Sequence, residues 1–331
     1  MPSFVLVPQG PFSLTHAADV VRRFPPLRHQ PRSKEAVRVG FVLDERHCSV
    51  AVSLREERGQ IRVFYAGTRE ADAVARQVAR IFSLDHDATG WPALAERDPK
   101  LGAVMDAFPG LRPVCFTSPY ECACWAIIAQ RITTSHAARV VAELVRAHGE
   151  VVRLEDESIG VFPRPDRLLD VTTIPSLPLV KVDRLHAIAR AALDGKLDAE
   201  RLRRLGDELG PQSLRFLPGI GPFWASVIYL RACGIRDVFP DEPLTIAALG
   251  TLHGLGARPP RPAIERLTEP YRPYRMWVAF LLRVAAARGI IGDVSGRAAE
   301  LRAGAAGTRA GRRPGLRAAV PRSGAADTET S

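Results

Sequence analysis

The sequence predicts an α+β fold, with an N-terminal antiparallel sheet lobe that carries a helix, followed by a mostly helical body. Apolar and polar residues alternate in short runs over residues 1–85, and after about residue 100 the apolar residues recur at helical steps of three and four. The composition, 46% hydrophobic and 25% charged, is typical of a globular protein. The length of 331 residues indicates about two domains, or one large domain of two or three lobes.

The strand-like segments come first in the chain. They read FVLVP, VRVGFVLDE, CSVAVSLRE and QIRVFYAG, with the polar breaks DERH and EERG between them. Because successive side chains of a strand point to opposite faces, this alternation predicts an antiparallel sheet. The next segment, ADAVARQVARIFSL at 71–84, has the spacing of a helix that packs on this sheet. We expect these elements to form a lobe over residues 1–100.

The helical body is expected over residues 101–292. The segment YECACWAIIAQRI at 120–132 is apolar almost all round, which is typical of a helix buried inside a bundle. SHAARVVAELVRAHG at 135–149 has one apolar stripe, and Ser135 is a candidate N-cap. Residues 293–331 have no aromatic residue and are rich in Gly, Ala and Arg, a composition that predicts a disordered basic tail.

The net charge of +10 and the isoelectric point near 9.9 favour a polyanionic partner such as nucleic acid, because bound Lys and Arg release counterions from phosphates. Only four of the 46 basic residues are lysines, and a GC-rich genome also produces such an arginine excess.

No apolar run approaches the roughly 18 residues of a membrane span, and the start lacks a signal-peptide pattern. We therefore expect a cytoplasmic protein without membrane contact. The five cysteines lack metal-site spacing, which predicts reduced thiols and no metal.

The sharpest local signal is LPGIGP at residues 217–222. Gly219 and Gly221 allow a tight turn with positive φ, Ile220 can anchor the turn in the core, and Pro222 suits the start of a helix. Such a helix-hairpin-helix, near residues 213–233, presents backbone N–H groups at a helix N-terminus, where a nucleic-acid phosphate can bind. A helix–turn–helix connection without a ligand is the alternative.

Several segments together resemble one family. AIIAQRITTSHAARVVAELVRAHGE, FPRPDRLL, LPGIGPFWASVIYLRACGIRDVFP and YRPYR occur in the order found in the helix-hairpin-helix superfamily of DNA glycosylases. Within it the chain resembles the 3-methyladenine DNA glycosylase II (alkylbase glycosylase) family over about residues 1–290. The resemblance implies a monomer that acts in base excision repair on damaged double-stranded DNA without a cofactor or metal, and that is nucleoid-associated when bound.

The resemblance also implies positions for base flipping, in which a nucleotide leaves the stack and enters a pocket. The residue after the family's helix glutamine is the wedge, which places Arg131 after Gln130 in that role; a surface phosphate contact is the alternative for Arg131. The base pocket is expected at Phe223, Trp224 and Tyr274, although the aromatic cluster around Tyr274 could equally be core.

At two further positions the alkylbase enzymes tend to have aromatic residues, whereas this chain has Val227 and Arg283. The departure suggests that substrate preference has drifted in this chain.

The catalytic carboxylate of the family is an Asp that follows an Asp-Val-Phe-like stretch, here DVFPDEPL at 237–244. An ungapped comparison places Pro243 there, whereas a shift of one residue places Glu242 there, with Asp241 beside it. Because proline cannot do the chemistry, we assign Glu242, and less strongly Asp241. An acidic, solvated turn without a catalytic role is the alternative.

The lyase lysine of bifunctional relatives is replaced by Phe223, and no lysine follows Lys196. The resemblance therefore implies a monofunctional glycosylase that hydrolyses the N-glycosidic bond of alkylated purines such as 3-methyladenine. The alternative is a catalytically impaired DNA-damage-binding protein that retains the glycosylase fold. An RNA-binding helical protein is a third, weaker interpretation.

Overall fold

A computed structural model describes residues 1–31 and 36–292 of the chain. The predicted basic tail, residues 293–331, lies outside the described residues. The described strands are β1 Ser3–Leu6, β2 Val37–Val42, β3 Ser49–Glu57, β4 Gln60–Ala66, β5 Glu150–Leu154 and β6 Glu157–Val161. The described α-helices are α1 Leu14–Arg23, α2 Ala71–Ile81, α3 Leu94–Arg97, α4 Pro99–Asp106, α5 Pro119–Ile128, α6 Thr134–His148, α7 Pro165–Leu169, α8 Leu179–Leu193, α9 Ala199–Gln212, α10 Pro222–Ala232, α11 Pro243–His253, α12 Arg261–Thr268 and α13 Arg275–Ala287.

The N-terminal sheet is antiparallel with strand order β1-β4-β3-β2, so the predicted α+β fold class is confirmed. Val50, Val52 and Leu54 of β3 face α1 and α2, as the alternation of the strand requires. The α2 helix ends at Ile81, three residues before the predicted end, and Ser83 then has a left-handed φ of 53°. The helices and this face of the sheet enclose the first apolar core.

The β5–β6 hairpin was not predicted from the sequence. It packs on the sheet face opposite α1 and α2, where Leu154 and Ile159 meet Ala51. At Gly40 a Cβ atom would come within 2.8 Å of the Ile159 side chain, so the close approach requires glycine there. The strands β5 and β6 have five residues each, too few for a clear period-two signal within a helical region.

The second core is a helical bundle built around α5. Residues 122–128 of this helix are all buried, as expected for a segment that is apolar all round. Side chains from α6, α8, α9 and α10 complete this core. The α5 helix ends at Ile128 instead of near residue 132, and α6 is capped by the Thr133 hydroxyl instead of the predicted Ser135. The α5 helix is therefore shorter than predicted and α6 begins two residues earlier, both beside the functional surface described below.

The third core joins residues 88–111 to the C-terminal helices α11 and α13. It contains Trp91, Leu101 and Leu249 together with Trp277. Side chains on both sides of residue 100 share this core. The division of the chain at residue 100 stays a prediction.

The five cysteines are free thiols, and four of them are buried; Cys48 is partly buried. Over residues 1–31 and 36–292, no cluster of three or more His, Cys, Asp or Glu side chains is arranged to hold a metal ion. None of the helices described for those residues is long and apolar enough to cross a bilayer.

Candidate active site

The turn between α9 and α10 exposes its backbone. Gly219 has a φ of 86°, a conformation that favours glycine, whereas Gly221 has an ordinary negative φ and is the N-cap residue of α10. Ile220 is buried in the second core, and both glycines are exposed. Pro222 begins α10, as predicted. Since the first N–H groups of a helix have no partner within it, this end of α10 can bind an anion.

The end of α5 lies directly against this hairpin. The Gln130 side-chain amide donates a 2.8 Å hydrogen bond to the carbonyl oxygen of Gly219. The Lys181 ammonium donates to the carbonyl oxygens of Ile128, at 2.9 Å, and Gln130, at 2.7 Å. Arg131 follows with a left-handed φ of 59° and is exposed. The structure thus brings both predicted wedge residues beside the predicted phosphate site.

A cavity of about 650 Å³ opens next to the start of α10. Its aromatic lining residues are Phe24, Phe116, Trp125, Phe223 and Trp224, and its charged ones are Arg231, Asp241, Glu242 and Arg283. A concave, largely apolar site with a few charged groups is typical of a site for a small ligand or a single base. The cavity therefore has the size and chemistry to hold a flipped nucleobase.

Glu242 is the buried carboxylate of this cavity. It is the N-cap residue of α11, and its Oε2 accepts hydrogen bonds from the backbone N–H of Thr245, at 2.8 Å, and from the Thr245 hydroxyl, at 2.7 Å. Arg283 Nη1 lies 2.8 Å from the same oxygen. Asp241, the second predicted carboxylate, is exposed at the cavity wall. Helix capping and an ion pair together fix the position of the Glu242 carboxylate.

The surroundings of Glu242 favour its ionised form. Burial works in the opposite direction, because it raises the pKa of a carboxyl group, but the Arg283 guanidinium and the hydrogen bonds from Thr245 outweigh it. The pKa of Glu242 therefore lies below its ordinary value. At neutral pH this side chain is a negative charge held at a fixed place in the cavity.

Two arginines share the wall with Glu242. Arg231 is half-buried, donates a 3.0 Å hydrogen bond to the carbonyl oxygen of Val114 and lies 5.0 Å from the centroid of the Phe280 ring. Burial lowers the pKa of Arg231 to about 10, which leaves it protonated at neutral pH. The Arg283 side chain is 40% exposed. The charged lining of the cavity thus consists of two arginines and two carboxylates.

Phe223 and Trp224 lie at the cavity, with ring centroids 5.4 Å apart. Tyr274 does not: it is buried in the third core, where its ring packs on Trp91 and Trp277. Its hydroxyl donates a 3.1 Å hydrogen bond to the carbonyl oxygen of Asp87, which satisfies it there. The assignment of Tyr274 to the base pocket is corrected accordingly, and the alternative that this cluster is core describes its position.

Several cavity residues were not selected from the sequence as site residues, among them Trp125, Arg231 and Thr245. Trp125 lies in a helix that is apolar on all sides, so nothing in the periodicity marks its cavity-facing position. Arg231 comes from the equally apolar α10. Thr245 follows Glu242 by three residues, a spacing that suits a helix N-cap and would have predicted where α11 begins.

No protein-family model matches this chain. DNA-3-methyladenine glycosylase from Bacillus subtilis is 24% identical over 216 residues, which are 64% of this chain and 71% of the relative. DNA-3-methyladenine glycosylase 2 from Escherichia coli is 32% identical over 184 residues, 54% of this chain and 61% of the relative.

Among solved structures, the 3-methyladenine DNA glycosylase from Archaeoglobus fulgidus superposes with a TM-score of 0.70 at 22% identity, over 86% of this chain and 98% of that chain. The resemblance to the 3-methyladenine DNA glycosylases is confirmed. The structural likeness shows a shared fold, and both sequence relatives are named as 3-methyladenine DNA glycosylases.

Proposed function

We propose that this chain is a DNA glycosylase of base excision repair that hydrolyses the N-glycosidic bond of alkylated purines after base flipping. One observation carries the proposal: the buried, ionised Glu242 lies in the wall of an aromatic cavity that begins at the first turn of the helix-hairpin-helix. The names of the sequence relatives support the same activity. An anion-binding backbone beside a base-sized pocket is what a flipped nucleotide requires.

Glu242 supplies electrostatic stabilisation in this proposal. As the bond to the base breaks, positive charge develops on the sugar, and a fixed carboxylate stabilises that charge more in the transition state than in the bound substrate. Its Oε2 already accepts from Thr245 and faces Arg283. We assign Oε1 to the sugar and to the incoming water. Asp241, exposed beside it, is the weaker candidate.

The hairpin and the end of α5 are proposed to hold the DNA. The backbone N–H groups of Gly219 and Gly221 bind one phosphate, since they lie at the exposed N-terminus of α10. The N–H of Ile220, the third predicted contact, donates instead to the carbonyl oxygen of Leu217. Arg131, exposed after Gln130, fills the gap left by the flipped base. The proposed partner is damaged double-stranded DNA bound by a monomer, and no step of the proposal uses a cofactor or a metal.

The activity is proposed to be monofunctional. A lyase step needs a lysine that attacks the sugar and forms a Schiff base. The cavity lining found among the described residues contains no lysine, and Phe223 occupies the position after Pro222. Lys181 bonds instead to two backbone carbonyls outside the cavity.

The test is base release from a duplex treated with a methylating agent, with free bases separated by chromatography. We expect free alkylated purine, an abasic strand that is cut only by later alkali, and no protein–DNA adduct after borohydride reduction. Tight, salt-sensitive binding to abasic duplex without any base release would contradict the proposal and indicate a damage-binding protein. A borohydride-trapped adduct would contradict the monofunctional assignment alone.

A further inference from the structure

Arg184 lies on α8 beside the exposed hairpin. A Cβ atom at Gly219 would lie 3.0 Å from Arg184 Cδ and 3.2 Å from Arg184 Nε, so the end of the arginine side chain rests against the turn. The side chain is half-buried, and within residues 1–31 and 36–292 it forms no ion pair and donates to no carbonyl oxygen. Since a guanidinium carries five N–H donors, Arg184 can bind an external acceptor without giving up a contact within the protein.

Three positive charges meet at this point of the surface. Burial lowers the pKa of Lys181, and repulsion from Arg184 and Arg131 lowers it further. Among the described residues no carboxylate is close enough to raise it. Lys181 donates to the carbonyl oxygen of Gln130, whose side chain donates to Gly219. The three cations therefore surround the hairpin from α5 and α8.

The neighbouring carboxylate in the chain does not neutralise Arg184. Asp183 precedes it on α8, but consecutive residues of a helix point to different sides. The Asp183 side chain is exposed, and it forms no ion pair with any residue that the structure describes. The positive charge beside the hairpin is thus uncompensated, and a bound anion would relieve the repulsion among the cations.

We propose that Arg184 is a phosphate ligand, which together with the backbone N–H groups of Gly219 and Gly221 binds one phosphate of the DNA strand at the hairpin. The inference rests on the proposed glycosylase function and adds a side-chain contact to its DNA site. Donors reach this point from two elements. The N-terminus of α10 presents backbone N–H groups, and α8 presents a planar guanidinium, whose fork suits two phosphate oxygens.

Arg184 and Arg131 have different roles in this arrangement. Arg131 is exposed at the end of α5, where it is the proposed wedge. Arg184 is half-buried and already lies against the turn, so it loses less side-chain freedom when it binds a phosphate. Its contact is with the DNA backbone and should strengthen binding to any sequence equally.

The test is the salt dependence of binding to a duplex with one abasic-site analogue, measured by fluorescence anisotropy over a series of NaCl concentrations. We expect Arg184→Met to weaken binding about tenfold at low salt and to lower the slope of log Kd against log salt by about 0.9, the contribution of one phosphate contact. Arg190→Met is the matched control, because Arg190 is exposed on the same helix, about 120° around it from Arg184. It should keep the wild-type slope.

Two further variants separate a charge contact from packing against the hairpin. Arg184→Lys keeps the positive charge but loses the planar fork, so it should keep the wild-type slope at an intermediate affinity. Arg184→Gln is a second neutral side chain and should give the same slope as Arg184→Met. Thermal unfolding shows which variants are folded.

A wild-type slope in a folded neutral variant, or an equal fall in slope for Arg190→Met, would overturn the inference alone. Absence of salt-sensitive binding to the duplex by the wild type would contradict the inference and the proposed function together. Base release from methylated duplex, measured separately, tests the proposed function without involving Arg184.

Discussion

The Lys181 ammonium donates a 2.7 Å hydrogen bond to the carbonyl oxygen of Gln130, and Gln130 in turn donates to the hairpin at Gly219. A second bond from Lys181 reaches Ile128 at the end of α5. The positive charge thus sits at a helix C-terminus, where it is favourable. Burial, with repulsion from Arg184 and Arg131, lowers the pKa of Lys181. This side chain fixes the segment that carries the proposed wedge.

We expect Lys181→Met to weaken both the fold and DNA binding. The change leaves two carbonyl oxygens at the end of α5 without their donor, which costs about 2 kcal/mol in the free energy of unfolding. Affinity for abasic duplex should fall several-fold, because Gln130 and Arg131 lose their fixed position. Urea unfolding and fluorescence anisotropy measure the two effects, with the exposed Lys100→Met as control. Unchanged affinity would show that Lys181 only stabilises the helix.

The two hairpin glycines should separate folding from binding. An alanine Cβ at Gly219 would lie 2.9 Å from Ile127 Cδ1 at a positive φ, so Gly219→Ala should destabilise the protein by about 1–3 kcal/mol. An alanine Cβ at Gly221 meets nothing within 4 Å. Gly221→Ala should therefore leave stability within about 0.5 kcal/mol of the wild type.

Binding should respond to Gly221→Ala even though folding does not, because the added methyl group lies where the phosphate is proposed to approach. We expect roughly tenfold weaker binding to abasic duplex, about 1.4 kcal/mol. Wild-type affinity in this variant, measured by anisotropy at two salt concentrations, would contradict the proposed phosphate site.

Arg112 joins the N-terminal segment to the third core. Its guanidinium is buried and donates to five carbonyl oxygens, those of Gln9, Gly10, Pro11, Ser83 and His86. Arg112→Met should lower the free energy of unfolding by about 3–5 kcal/mol, because the carbonyls lose their donor together. Arg112→Lys should rescue only part of it, since an ammonium has three donors. A loss below 1 kcal/mol in thermal unfolding would contradict this role.

Glu121 should make the stability pH-dependent. Burial is the main cause that raises the pKa of Glu121 to about 7, against the hydrogen bonds from Val42 and Thr117 that lower it. The folded state therefore keeps a proton that the unfolded state releases between about pH 4.5 and 7, and stability falls as pH rises through this window.

Glu121→Gln removes that titration while its amide oxygen can still accept from the Val42 N–H. Only the wild type then loses stability as the pH rises. The free energy of unfolding of Glu121→Gln minus that of the wild type should therefore increase by about 2 kcal/mol between pH 4.5 and 7.5. Denaturant titrations across this range test the difference, with the exposed Glu143→Gln as control. A difference that does not change with pH would contradict a raised pKa.

The sequence was sufficient where one local physical rule dominates. Alternation predicted the four-stranded sheet, and the all-round apolar pattern predicted that α5 is buried. LPGIGP predicted the exposed hairpin. Gly219 has the predicted positive φ, whereas Gly221, for which a positive φ was also predicted, has a negative one. The short β5–β6 hairpin was missed because five-residue strands carry too little periodicity and depend on packing against the sheet.

The cavity was harder to predict because it depends on tertiary contacts. Arg283 is about forty residues from Glu242 in the chain, and no local pattern connects them, yet the fold places them 2.8 Å apart. Tyr274 carries the same aromatic signal as Phe223, and only the packing shows that one is core and the other faces the cavity. Side-chain chemistry suggested the candidates, and the fold decided which of them meet.

The most direct test of the central claim is single-turnover base release from methylated duplex by Glu242→Gln, with Glu242→Asp as the conservative variant. Gln keeps an acceptor for Thr245 and removes the charge, so thermal unfolding and abasic-DNA binding should stay close to wild type while base release falls at least a hundredfold. Asp keeps the charge and should retain much more release than Gln. Wild-type release by a folded Glu242→Gln protein would contradict the assignment of Glu242 as the catalytic carboxylate.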